Sequence, residues 1–159
     1  MTALKEASLR FKEAAAALGL DVEITEHAVS SRTAEEAAAA CGCVVGQIVK
    51  SLVFRGAKSG TPYLLLVSGA NRVDQKGVAR TIGEPLDRPD ADYVRKLTGF
   101  AIGGIPPLGH LTPIRTYVDE DLLAHPLVWA AAGTPNSVFP VDPRRLADAA
   151  GATVVAVKP

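Results

Sequence analysis

Cysteine is scarce in this sequence, aromatic residues make up only 5% of it, and neither sign of charge prevails. Cys41 and Cys43 are the two cysteines. A bridge between them would close a very small ring, and a secreted chain of this size ordinarily carries more pairs. With no second cysteine pair, and with His27, His110 and His125 at no matching interval, a zinc site lacks its ligand set, and no metal is expected. Lys plus Arg and Asp plus Glu each total 17, for a formal net charge of +0. That balance excludes a strongly basic polyphosphate binder, although a local patch that touches nucleic acid remains open. No apolar run approaches the roughly 18 to 20 residues of a spanning helix. Lys5, Glu6, Arg10, Lys12 and Glu13 interrupt any signal-like stretch at the start. Gly-x-Ser-x-Gly, phosphate-loop and dinucleotide fingerprints are missing as well, so the common nucleophile and nucleotide schemes have no footing and no cofactor is expected. These absences together predict a protein of a reducing cytoplasm, away from membranes.

What is present reads as one globular domain over 1–159. The 159 residues are long enough to bury a core, and 48% of them are hydrophobic. Leu4, Ser8, Phe11, Ala15 and Leu18 share one helical face with Gly19 as a stop, which makes 1–19 an N-terminal helix. Thr33 with Glu36 is a capping-box signature for a helix over Ala34–Cys41, ended by Gly42. Asp21–Glu26 reads as a short strand. Ile48–Phe54 and Tyr63–Ser68 read as strands of a hairpin joined by the turn-rich Gly56–Pro62. Helices are predicted near Asp74–Thr81 and Pro89–Leu97, the second with Pro at its first position. Gly99–His110 is loop-like, with Phe100–Ile102 as a candidate short strand. Arg115–Val118, Leu127–Ala131, Ser137–Phe139 and Thr153–Val157 complete the strands, and Pro143–Ala149 is a last helix. Short strands mixed irregularly with short helices argue for an α+β fold rather than a regular βαβ winding.

Lys50 is the most informative residue. Period-2 alternation puts it on the face of Ile48, Leu52 and Phe54, while Val49, Ser51 and Val53 form a second, nearly apolar face. A lysine in such an interior strand is costly unless its ammonium meets a partner or opens into a cleft. Either it marks a site, or its stem lies on apolar surface and the head reaches water. The loop Gly103-Gly104-Ile105-Pro106-Pro107-Leu108-Gly109-His110 is the second feature. Its glycines permit close backbone approach and its prolines stiffen the path, so it suits an oxyanion hole or ammonium cradle, or equally a rigid crossover. His110 offers a base near neutral pH or a hydrogen bond that fixes the loop. Arg72, Lys76 and Arg80 recur every fourth residue, giving a helix one basic stripe: a solvated face, or phosphate contacts with Arg55 and Lys58 nearby. Arg88, Arg95 and Lys96 form a looser basic group.

Three segments agree with a known family: Gly46-Gln47-Ile48-Val49-Lys50-Ser51-Leu52-Val53-Phe54, then Gly99 with the Gly103–His110 loop, then Ala132-Gly133-Thr134-Pro135-Asn136-Ser137. In order and spacing, from about Asp21 onward, the chain resembles the YbaK-type aminoacyl-tRNA deacylases, free-standing relatives of the editing domain of bacterial prolyl-tRNA synthetases. The resemblance implies a mixed, largely antiparallel barrel-like sheet with short flanking helices. It implies hydrolysis of the ester of a mischarged tRNA, with tRNA-Pro as the expected tRNA and a small wrong amino acid such as Ala, Cys, Ser or Thr. Lys50, Gly103 and Gly109 then match catalytic positions. Gly104, Ile105, Pro107, His110, Gly133, Thr134 and Asn136 match the aminoacyl pocket, and Arg72, Lys76 and Arg80 are candidate tRNA contacts. Expected partners are mischarged tRNA and an aminoacyl-tRNA synthetase, with the protein a monomer or weak dimer. A non-catalytic module that binds aminoacyl-tRNA or a synthetase, and an esterase for small free metabolites, are the rival readings. An aminoacyl ester is already activated, so a positioned water and an electrostatic Lys50 suffice, and a missing catalytic triad is no objection.

Overall fold

The computed structural model describes residues 5–159, so Leu4 and its expected place on the first helical face lie outside the described residues. In chain order the elements are α1 (Glu6–Ala17), β1 (Thr25–Glu26), α2 (Ala34–Cys41), β2 (Val49–Gly56), β3 (Pro62–Ser68), α3 (Gln75–Ile82), β4 (Leu86–Asp87), α4 (Ala91–Thr98), β5 (Arg115–Asp119), β6 (Val128–Ala131), β7 (Ser137–Val141), α5 (Pro143–Ala150) and β8 (Thr153–Val155). Short 3-10 turns occupy Val45–Gln47 and Glu120–Ala124. The arrangement is α+β, mixed and largely antiparallel, as the sequence predicts. Its strands divide into two sheets, β4-β2-β3-β5-β8 and β1-β7-β6. An isolated bridge between Ile48 and Trp129 joins them, and the pair does not close into a barrel.

The β2–β3 hairpin organises the larger sheet, with Lys50 opposite Val67 and Val53 opposite Leu64. Leu64, Leu65, Leu66 and Val67 of β3 are all fully buried. Each such side chain contributes on the order of 2 kcal/mol by leaving water. Strand alternation sends Leu64 and Leu66 into a large cluster with Phe11, Val53, Ile105, Val128 and Phe139. It sends Leu65 and Val67 into a smaller cluster with Phe54, Val78 and Leu86. A strand apolar on both faces thus belongs in the interior, and β5 then pairs parallel to β3 and β8 parallel to β5 through long crossovers.

The helices start and stop for local reasons, and several differ from expectation in detail. Thr33 Oγ1 accepts from Glu36 N at 3.1 Å, but the Glu36 carboxylate reaches Arg32 N, one residue before the usual capping-box donor. α4 starts after Asp90, whose carboxylate accepts from Tyr93 N at 2.8 Å, so Pro89 precedes the cap instead of opening the helix. α3 begins at Gln75, which leaves Arg72 outside it and reduces the basic stripe to Lys76 and Arg80. Leu18 lies past α1 and is exposed, and Leu20 takes the buried place. β1 is ladder-paired only at Thr25 and Glu26. Phe100–Ile102 forms no strand, and β4, which pairs with Arg55 and Gly56, had no signal in its two residues.

Glu84 ties the hairpin loop to the end of α3. Its carboxylate accepts from Ser59 Oγ at 2.6 Å, Ser59 N at 2.9 Å, Tyr63 Oη at 2.9 Å and Lys58 N at 3.1 Å. The Ser59 hydroxyl foremost, then the Ser59 amide, pull its carboxyl down to about 2. Because this group titrates lower in the folded chain than in the unfolded one, its stabilising effect is complete above the ordinary carboxylate value and is lost as pH falls toward about 2. Denaturant melts of Glu84→Gln and the native protein should therefore differ at neutral pH and converge as the pH is lowered through that window.

Candidate active site

A cavity of about 330 Å³ opens between the two sheets. Its floor is Ile48–Val53 of β2 with its approach, its back is Trp129–Ala131 of β6, and one side is the Ile102, Gly103 and Ile105 part of the loop. His27 and Ser31–Ala34 line the opposite rim, and Arg32 and Arg88 bring two cations to the lining. This size suits a small ligand, since ligand cavities run from about 300 Å³ upward.

Lys50 is half-buried in that floor. Its Nζ donates to the main-chain carbonyl of Asn71 at 2.5 Å, in the turn that follows β3. Burial lowers its pKa from the ordinary lysine value, Glu35 and Asp119 oppose that shift, and Arg72 adds to it. Ser51, next along β2, has a buried hydroxyl without a hydrogen-bond partner.

The two glycine-bearing segments meet behind the cavity. Gly133 N donates to Gly104 O at 3.0 Å, Gly104 N to Ala101 O at 3.0 Å, and Thr134 N to Ser137 Oγ at 3.1 Å. These amides are occupied within the wall and hold it rigid. A Cβ on Gly104 would lie 2.7 Å from the Thr134 backbone, and one on Gly133, which has φ +105°, would lie 2.8 Å from Ala7 O of α1. Gly109, with φ +81°, has Ala14 of α1 as its near neighbour. Thr134 Oγ1 bonds Ser137 Oγ at 2.7 Å, and Ser8 Oγ of α1 reaches the same Ser137 oxygen at 3.1 Å. Asn136 Nδ2 donates to His27 O at 2.7 Å while His27 N donates to Asn136 O at 2.7 Å, which clamps the rim to the wall.

Lys50, Gly103 and Ile105 thus reach the cavity itself. Gly104, Gly133, Thr134 and Asn136 build the wall behind it. Pro107 is buried, and His110 Nε2 meets Pro106 O at 2.8 Å across the loop. Burial lowers the His110 pKa, the Pro106 carbonyl counteracts it, and the ring–carbonyl contact staples the loop. Lys76 and Arg80 line a different, more open concavity with Gln75 and Glu84. Arg32 and His27 carried no sequence signal, because a single cation or imidazole in a polar turn looks like ordinary surface. Arg88, noted only within a loose basic group, stacks on Phe54 at 4.9 Å from the ring centroid.

The comparisons with known proteins agree with this architecture. Residues 28–149 match the aminoacyl-tRNA editing domain model, and the chain belongs to that family. The uncharacterized protein YwhH of Bacillus subtilis (strain 168) is 32% identical over 126 residues, covering 79% of this chain and 80% of that protein. A second relative, "Putative Cys-tRNA(Pro)/Cys-tRNA(Cys) deacylase EbsC" of Enterococcus faecalis (strain ATCC 700802 / V583), is 28% identical over 115 residues, or 72% of this chain and 70% of that one. A crystal structure described as "a putative trans-editing enzyme for prolyl tRNA synthetase" superposes with a TM-score of 0.93 at 49% identity, over 99% of both chains.

Among the described residues, no group of His, Cys, Asp and Glu is placed to hold a metal ion, and no helix is long and apolar enough to cross a membrane. The wall makes a direct prediction. Gly104→Ala should lower stability by about 1–3 kcal/mol, because the Thr134 backbone cannot step aside for the new methyl group. Thermal melts of the variant beside the native protein measure it.

Proposed function

We propose that this chain hydrolyses the ester of mischarged aminoacyl-tRNA, with the small wrong amino acid seated in the cavity beside Lys50. The observation that carries this reading is a half-buried lysine and a rigid glycine-rich wall sharing one small cavity. Family membership supports the reaction class. The tRNAs named for EbsC and the synthetase named for the trans-editing structure support a tRNA-Pro or related tRNA as substrate.

In this reading the Lys50 ammonium faces the negative charge that develops on the ester oxygen, or the terminal phosphate that delivers it. A charge aimed at the transition state in a partly dry site acts more strongly than it would in water. The amino acid lies along Ile105, Gly103 and the Ala130 region, and a positioned water attacks the ester carbon. A neighbouring ribose hydroxyl of the tRNA orients that water and relays its proton to the departing ribose oxygen, so the protein needs no general base of its own. Arg32 and Arg88 take the phosphates next to the terminal ribose. Pocket volume gives modest discrimination, since one methylene is worth about 1–3 kcal/mol.

A panel of tRNAs mischarged with Ala, Ser, Thr or Cys tests the reading under single-turnover conditions. At least one ester should be released, and Lys50→Ala should slow that release by about 100-fold or more. Stoichiometric binding with every ester left intact would instead make the protein a carrier of aminoacyl-tRNA. Equal rates on aminoacyl esters without the tRNA body would make it a small-ester hydrolase. Arg32→Ala should weaken tRNA binding and reduce the slope of log affinity against log salt by about 1, with the rate at saturation little changed.

A further inference from the structure

The acceptor that holds Lys50 is itself held, by residues that have no role in the reading above. Asn71 gives its main-chain carbonyl to Lys50 Nζ, and its side-chain amide donates to Asp119 Oδ2 and to Asp121 Oδ2, each at 2.8 Å. Asp119 ends β5 and is 1% exposed. The same Oδ2 also accepts from Ser68 N at 3.0 Å, and its Oδ1 accepts from Asp121 N at 2.9 Å. Lys158 Nζ closes the outer side, 2.9 Å from Asp121 Oδ2. A buried carboxylate is costly unless its lone pairs are filled, and those of Asp119 are filled from β3, from the Asn71 turn and from its own turn. An amide group gripped by two carboxylates cannot rotate, so the Asn71 main chain, and the carbonyl that meets Lys50, is fixed in place.

We propose that Asp119 and Asn71 are positioning residues for Lys50: the carboxylate locks the Asn71 turn, and the Asn71 carbonyl aims the ammonium into the cavity. This rests on the reading of Lys50 as the working charge of a deacylase site. The groups that face Lys50 are Glu35 of α2, Arg72 of the same turn and Asp119 of β5, with Asp121, Lys158 and His125 in the next layer. Glu35 and Asp119 favour the ammonium, whereas burial and Arg72 disfavour it. Asp119→Asn removes a favouring charge while keeping an oxygen for Ser68 N. Asn71→Ala keeps the main-chain carbonyl but frees it from its anchor. Each variant removes something that stabilises the protonated lysine, so each moves the Lys50 titration to lower pH. Asp119→Asn lowers that titration through the lost charge alone. Asn71→Ala leaves every charge in place, so it is the variant that separates positioning from a merely structural capping role, under which the titration would stay where it is.

Two measurements on the full chain separate the possibilities. The side-chain carbon signals of lysine-labelled protein are followed against pH, with Lys50→Ala identifying the Lys50 signal. Single-turnover deacylation is measured in parallel on the best ester of the mischarged panel. The proposal expects both variants to titrate Lys50 at lower pH, and both to lose about 100-fold in rate through misplacement of the charge. Asn71→Ala serves where Asp119→Asn folds poorly, because it leaves the buried carboxylate intact. An unshifted Lys50 titration in folded Asn71→Ala overturns the proposal, whatever its activity. Absence of deacylation by the native chain overturns the functional reading alone, and a shifted titration then still upholds the placement of Lys50.

Discussion

Burial of both faces of the β2–β3 hairpin is the constraint on which the rest of the structure depends. One face feeds the large cluster with α1 and the smaller sheet, and the other feeds the small cluster under α3. A lysine within such a ribbon cannot be accommodated at its middle. Lys50 stands opposite Val67, near the end of β3, and the turn after that strand supplies the acceptor. The same placement lets one ammonium be desolvated enough to be useful while it stays paired. Strand register, more than local chemistry, decides what this residue can do.

The wall of the cavity depends on a different economy of space. Gly104 rests on the Thr134 backbone and Gly133 rests on α1, so segments far apart in sequence pack main chain against main chain. Side chains would hold them apart. The hydroxyls of Ser8, Thr134 and Ser137 then satisfy one another within the buried wall. Rigid backbone on one side and a partly desolvated charge on the other define a cavity whose shape does not rely on long side chains.

Much of this was legible in the sequence, for identifiable reasons. The hairpin announced itself through apolar runs around a Gly/Pro-rich turn, and α2 through Thr33 and Gly42. Lys50 was conspicuous because a charge interrupted an otherwise apolar alternation. The meeting of the Gly103–Gly104 and Gly133–Thr134 segments was visible only as a family resemblance, since no periodicity links distant loops. β4 was invisible because two residues carry no pattern, and its pairing is imposed by the Arg55–Gly56 edge. The division into two sheets could not be read because it hinges on a single bridge at Ile48. Asn71 and Asp119 were likewise silent: each acts through a contact with a residue far along the chain.

The N-terminal helix carries a consequence for where this domain begins. The family match starts at residue 28, yet Phe11 packs its ring 4.9 Å from that of Phe139, and Ala7 and Ala14 back the glycines of the wall. The family match and the mechanical unit therefore have different edges. A fragment cut at the edge of the match would keep every residue that lines the cavity except His27 and lose the buttress behind it. In a relative that lacks such a helix, some other surface, whether a neighbouring domain or another chain, would have to press on the same two glycines.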